Sequence, residues 1–250
     1  MLRKLSQDKH RQPYNGPITI TRIQTGDILD RETDDFAFGP LSIIDHAVMK
    51  KGLTIKMHEH VNDEILSYVW QGTMHHRDSS GLEAAVTPGN LMLMNAGKSF
   101  WHEEKVKNAH VEMLQIFVRP QKTNLEPTIQ FHTKPVRNHD WYLMVGPEGS
   151  KAPLIVRQNV YIFDAHLKQG EQLDVPVYHG LKPFLYVVDG ELTVGGLTIR
   201  KMEAVTNLKE ELPSILAVAE TSVVLFLVDM DAEASLKGTI SGKEFPRPKR

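Results

Sequence analysis

Apolar residues in this chain come in short runs broken by turn-forming positions. The runs at 41–44, 65–70, 91–94, 113–118, 154–163, 184–188 and 222–228 are short and bounded by turn signals, so each is read as a strand and not a helix. Between them stand Gly72, the 78–81 turn, Pro88-Gly89, Gly190 and Gly195-Gly196, the spacing of an all-β barrel or sandwich. Helix signals are few. The best is 231–237, where Asp231 can cap an alanine-containing turn that Gly238 would stop after about two turns.

The pattern repeats. Tyr68-Val69-Trp70-Gln71-Gly72 returns as Tyr186-Val187-Val188-Asp189-Gly190, 118 positions later. Leu66 then faces Phe184, and 91–95 resembles 204–208 if the second copy has a shorter hairpin. Between Arg119 and Pro153 lie five of the 14 prolines, which marks a connection between two units. The expectation is two tandem β-barrels with few short helices: an N-terminal domain over 15–132, a C-terminal domain over 133–236 and a basic tail over 237–250.

Composition narrows the function. With 29 basic and 31 acidic residues the chain has no broad footprint for a phosphate backbone, so direct nucleic-acid contact is not expected. The absence of cysteine excludes disulfides, thiolate nucleophiles and iron–sulfur clusters, and any metal must be held by nitrogen and oxygen. The first fourteen residues are too charged for a signal peptide and no run of apolar residues is long enough to span a membrane, so a cytoplasmic protein is expected.

Such a nitrogen and oxygen set is present. His58 and His60 are one residue apart, which on a strand places both imidazoles on one face, and His102 and Glu104 repeat that spacing further on. If the two pairs sit on neighbouring strands, three imidazoles and a carboxylate meet inside one barrel. They fill four positions of an octahedron and leave two open for guests, as an oxygen-activating iron site requires. The 118-residue offset maps His58 and His60 onto Pro176 and Tyr178, so the second barrel lacks the set and is expected to pack against the first.

At these residues the chain resembles the cupins, and within them the pirins and their short bacterial relatives. The cupin frame G-x5-H-x-H-x3-E appears at Gly52, His58, His60 and Glu64, and the pirin element M-x-A-G-x4-H-x-E at Met94, Ala96, Gly97, His102 and Glu104. HRDSSG at 76–81, GPEGS at 146–150 and RQNVYIFDAHLKQGE at 157–171 resemble the bacterial branch, and the likeness runs over about 15–230. Where pirins usually read H-P-H-R-G-F-E, this chain has Glu59 for the proline and Val61-Asn62-Asp63 for the next three. That segment lines the barrel mouth in the family, so the departure bears on substrate choice.

The resemblance implies a bicupin whose metal ligands are His58, His60, His102 and Glu104. Ordinary cupins take their carboxylate ligand from the Glu64 position; the pirin pattern favours Glu104, leaving Glu64 as a neighbouring or proton-handling group. It implies one divalent ion, Fe(II) first, with manganese, cobalt, nickel, copper or zinc on the same ligands. It also implies quercetin 2,3-dioxygenase chemistry: a flavonol-like substrate loses its enolic proton to Glu104 or Glu64, dioxygen adds across the ring and carbon monoxide leaves. Eukaryotic members are described as iron-dependent transcriptional co-regulators, so the alternative is a metal- or redox-sensing module acting through protein partners. A metal that merely stabilises the fold is the third reading. His75 and His76 are read as a solvated turn after a hairpin, and the basic end of the tail as solvated.

Overall fold

The computed structural model describes residues 1–31 and 35–242, and among these the regular structure is almost entirely β. Two short 3-10 turns, Gln7–Lys9 and Thr25–Leu29, are the helical content. In chain order the first twelve strands are β1 (Leu2–Leu5), β2 (Arg11–Tyr14), β3 (Ile18–Gln24), β4 (Leu41–Met49), β5 (Thr54–His60), β6 (Glu64–Gln71), β7 (Met74–Asp78), β8 (Glu83–Val86), β9 (Asn90–Asn95), β10 (Phe100–Val106), β11 (Val111–Val118) and β12 (Thr128–Thr133). All of these except β1 form two facing sheets, of seven strands in the order β12-β9-β6-β11-β4-β3-β2 and of four in the order β5-β10-β7-β8. The sheets are not joined into one closed cylinder.

The second half repeats this plan. Its seven-stranded sheet runs β1, Ala204–Asn207, Lys182–Asp189, Thr221–Val228, Val160–Leu167, Tyr142–Gly146 and Leu154–Ile155. Tyr68 and Tyr186 therefore lie on the third strand of equivalent sheets, and β9 matches Ala204–Asn207, the pairing that the internal repeat implies. Gly72 and Gly190 end those third strands with φ of 85° and 90°. A Cβ on either would collide with a backbone carbonyl, of His110 or of Glu220, so the turn admits no side chain.

The two seven-stranded sheets pack against each other. Leu66, Tyr68, Leu114 and Ile116 of the first half share one cluster with Met144, Ile162, Phe184, Tyr186 and Phe226 of the second. Both faces of these sheets are thus covered, which is why Thr221–Val228 is buried at every position and reads as a continuous apolar run without alternation. Odd-numbered neighbours such as Leu185, Val187, Val223 and Leu225 fill the second half's own interior instead.

Three expectations need correction. The helix read over 231–237 does not form. Side chains two residues back take its N–H groups, Asp229 Oδ1 accepting from Asp231 N at 3.1 Å and Ser235 Oγ from Lys237 N at 3.1 Å, while Ser235 N donates to Pro120 O at 2.9 Å. The run 154–163 is two strands: Leu154–Ile155 pairs parallel with Tyr142–Gly146, the chain bends, and Val160–Leu167 pairs antiparallel.

Third, the chain ends do not stay with the halves they adjoin in sequence. β1 pairs with Ala204–Asn207 in the second half's sheet, and 237–242, assigned to a tail, lies on the first half, where Ser241 is buried. The basic end of that tail, 243–250, is outside the described residues. No helix among the described residues is long and apolar enough to cross a membrane.

Candidate metal centre

β5 and β10 are antiparallel neighbours, with His102 opposite His58 and Phe100 opposite His60. Alternation along β5 puts His58 and His60 on the same, inward face. Between the His102–His58 and Glu104–Ile55 pairs β5 spends three residues against two on β10, and this bulge at Lys56 and Met57 lets Ile55 and His58 both face inward. The ring centroids lie 4.4 Å apart for His58 and His102, 5.1 Å for His58 and His60, and 5.2 Å for His60 and His102. One ligand atom from each comes within 4.8 Å of the others, and among the described residues this is the one such cluster of three.

Each ring is held by its Nδ1. That of His58 lies 2.9 Å from Lys56 O, that of His60 3.0 Å from Asp63 Oδ2, and that of His102 3.4 Å from His76 Nδ1. Nε2 is left as the donor on all three. Burial, reinforced by His58, His60 and His76, pushes His102 down to about 2, and burial likewise lowers His58. These two rings stay neutral with lone pairs free, the state a metal ion needs. His102 Nε2 is buried without a hydrogen-bond partner, a polar atom whose cost a cation would offset. The residues present fit a metal ion.

Glu104 reaches the same interior. It follows His102 by two on β10, is fully buried, and accepts a 2.6 Å hydrogen bond from Gln115 Nε2 at Oε1. Burial pushes its carboxyl up to about 7 against the opposing pull of His60 and Gln115. It lies outside the compact group of three imidazole donors. Gln115 belongs to a polar row across the facing sheet, registered with Asp45 and Ser67, and Asp45 takes a bidentate pair from Arg22 at 2.7 and 2.6 Å. The second half's interior cluster is apolar, made of aliphatic residues and Phe163, and Pro176 and Tyr178 line a cavity of about 390 Å³.

Glu64 does not join the histidines. Ile65 faces the inner cluster with Ile43, Met94 and Phe117, so by alternation Glu64 shares with Leu66 and Tyr68 the face turned to the second half. Its Oε2 accepts from Arg157 N at 3.0 Å and from Asn95 Nδ2. The expected proton-handling role is corrected accordingly.

His76, expected on a solvated turn with His75, is instead a buried residue of β7 beside His102. The signal was in the alternation: Met74, His76 and Asp78 share the buried face, His75 and Arg77 the outer one. Asp78 Oδ2 stands 4.0 Å from His76 Nε2.

Comparison with known proteins accords with this plan. Residues 21–118 match the family model described as Pirin, and 143–230 the one described as quercetinase C-terminal cupin domain. The chain belongs to the pirin family. Among its relatives is the quercetin 2,3-dioxygenase of Escherichia coli K12, 27% identical over 76% of this chain and 82% of that protein. Human pirin is 27% identical over 55% of this chain and 51% of its own length. The solved structure of bacterial pirin YhhW from Escherichia coli in complex with nickel(II) superposes with a TM-score of 0.79 at 23% identity, covering 91% of this chain and 99% of that one.

Against the pirin pattern H-P-H-R-G-F-E, Asn62 takes the glycine position with a φ of 53°, a left-handed conformation that asparagine tolerates better than most side chains. Asp63, at the phenylalanine position, is completely buried beside His60.

Proposed function

We propose that His58, His60, His102 and Glu104 hold one divalent metal ion and that the chain is a dioxygenase of the quercetin 2,3-dioxygenase type, acting on a flavonol-like aromatic substrate. The observation that carries this reading is the trio of imidazoles, each anchored through Nδ1 with Nε2 left to donate. The name of the Escherichia coli relative supports the choice of substrate. Fe(II) is the first choice, and manganese, cobalt, nickel, copper and zinc suit the same donors. When bound, such an ion supplies Lewis-acid activation of an enolic hydroxyl and, for iron, redox access to dioxygen.

The chain's residues supply the rest. The Phe117 ring is 6.1 Å from His60 and the Phe100 ring 6.4 Å from His102, an apolar flank for an aromatic substrate. Gln115 holds Glu104 by Oε1, leaving Oε2 for the metal or for the substrate's hydroxyl proton. His58, half-buried, marks the side from which a guest arrives. The lack of cysteine, and so of any disulfide, goes with a cytoplasmic setting.

The test is anaerobic loading with iron, manganese, cobalt or nickel, then quercetin and oxygen, with carbon monoxide release as the readout. No turnover with any of the four metals abandons this substrate. One observation favours a second reading, a metal-sensing module that binds protein partners. Ile43, Ile65, Met94, Phe117, Phe100 and Ile240 pack against one another beside the histidines, the arrangement of a filled interior. A partner captured equally by wild type and His58→Ala would argue against metal-controlled binding.

A further inference from the structure

The segment 237–242 runs beside 61–63 of the metal-bearing half and is clasped to it. Thr239 N donates to Val61 O at 2.9 Å and Val61 N to Thr239 Oγ1 at 2.7 Å. Ser241 O accepts from Ser42 Oγ at 2.7 Å and from Arg119 Nε at 2.8 Å. Three donors of this segment converge on one carboxylate: Asp63 Oδ1 accepts from Ser241 N at 2.9 Å and Ser241 Oγ at 2.6 Å, and Oδ2 from Ile240 N at 3.1 Å. That same Oδ2 lies 3.0 Å from Nδ1 of His60.

The arrangement is close-fitting. Asp63 is fully buried, where an ionised carboxylate is costly unless its oxygens are saturated by donors, and the segment provides them. A Cβ on Gly238 would overlap the Asp63 carboxylate and Ser241 Oγ, so glycine is required there by close approach and not as a helix stop. Ile240 packs against the cluster of Ile43, Ile65, Met94 and Phe117, whose last member flanks His60.

We propose that 237–242 is a working strap of the metal centre: it saturates Asp63, and Asp63, as a positioning residue, keeps the His60 proton on Nδ1 and its ring turned so that Nε2 meets the metal. Partners of this kind orient metal-bound histidines and set their basicity. The inference rests on the metal-binding reading above. It is also particular to this chain, because the pirin pattern has phenylalanine where Asp63 stands.

The experiment measures Ni(II) affinity by chelator competition and the visible spectrum of the Co(II)-loaded protein. Truncation after Gly242 should leave the affinity within about twofold. Truncation after Leu236, Gly238→Ala and Asp63→Asn should each weaken it about 10- to 100-fold and alter the Co(II) bands. Ser241→Ala, which removes one hydrogen bond and is mild enough to fold if the truncation does not, should weaken it about threefold to tenfold. Folded Asp63→Asn or Ser241→Ala protein with wild-type affinity and wild-type Co(II) bands overturns the strap alone. Wild-type protein that binds neither ion overturns the metal reading and the strap with it.

Discussion

Tyr68 and Tyr186, 118 positions apart, cross the seam between the halves in opposite directions. Tyr68 Oη donates to Asp164 Oδ2 at 3.1 Å, and Tyr186 Oη pairs with His46 Nδ1 at 2.8 Å, while His46 and Asp164 are themselves 118 apart. The internal repeat thus extends to the partners, with histidine in one copy and aspartate in the other. The aspartate is matched by Lys134, whose Nζ makes a 2.7 Å ion pair with Asp164 in full burial and lies 5.5 Å from the centre of the Tyr68 ring.

Loss of either hydroxyl should therefore be felt by the whole molecule. Tyr68→Phe and Tyr186→Phe should each destabilise by about 1–3 kcal/mol, because each leaves a buried partner with one hydrogen bond fewer. Urea unfolding checks this, with midpoints shifted down and slopes unchanged.

Glu64→Gln should separate this residue from the metal. Burial pushes the Glu64 carboxyl up to about 7, above the 4.5 of an ordinary glutamate, so the folded state binds the proton more tightly than the unfolded one. The associated stability is present below pH 4.5 and is lost as pH rises through 7. Relative to wild type, the Gln variant should melt higher at pH 8 than at pH 5, with Ni(II) affinity unchanged. A large loss of Ni(II) affinity would return Glu64 to the site.

His76→Ala removes the imidazole whose Nδ1 stands 3.4 Å from His102 Nδ1 and holds that ring in place. Ni(II) affinity should fall about 10- to 100-fold, with His76→Gln recovering part of it. Isothermal titration in matched buffers reads both.

Metal binding should also appear as stability. Ni(II) at about 100 times its dissociation constant should stabilise the folded state by about 2.7 kcal/mol, and chelator should remove that increment. In His102→Ala the melting temperature should no longer respond to either addition.

The strands and the repeat were legible because short apolar runs bounded by Gly72 and Gly190 carry local information that packing did not override. The three imidazoles were legible for the same reason: His58-x-His60 and His102-x-Glu104 express strand alternation directly. Where physics was non-local, the sequence was silent. His76 needed the burial of Met74 and Asp78 to show which face it takes, Glu64 needed Ile65 placed inside, and 231–237 has helix-compatible residues whose N–H groups are claimed by Asp229, Ser235 and the distant carbonyl of Pro120. Asp63 stood out only as a departure from the pirin pattern; its hold on 240–241 was hidden, since those partners are some 177 residues away.

Because Leu2–Leu5 edges the sheet of the second half while residues near Ser241 roof the first, each half is finished by material encoded at the far end of the other. A gene divided at the proline-rich connection would yield two incomplete fragments, each carrying the piece its counterpart lacks. Neither should persist by itself, and the pair should reassemble when made together.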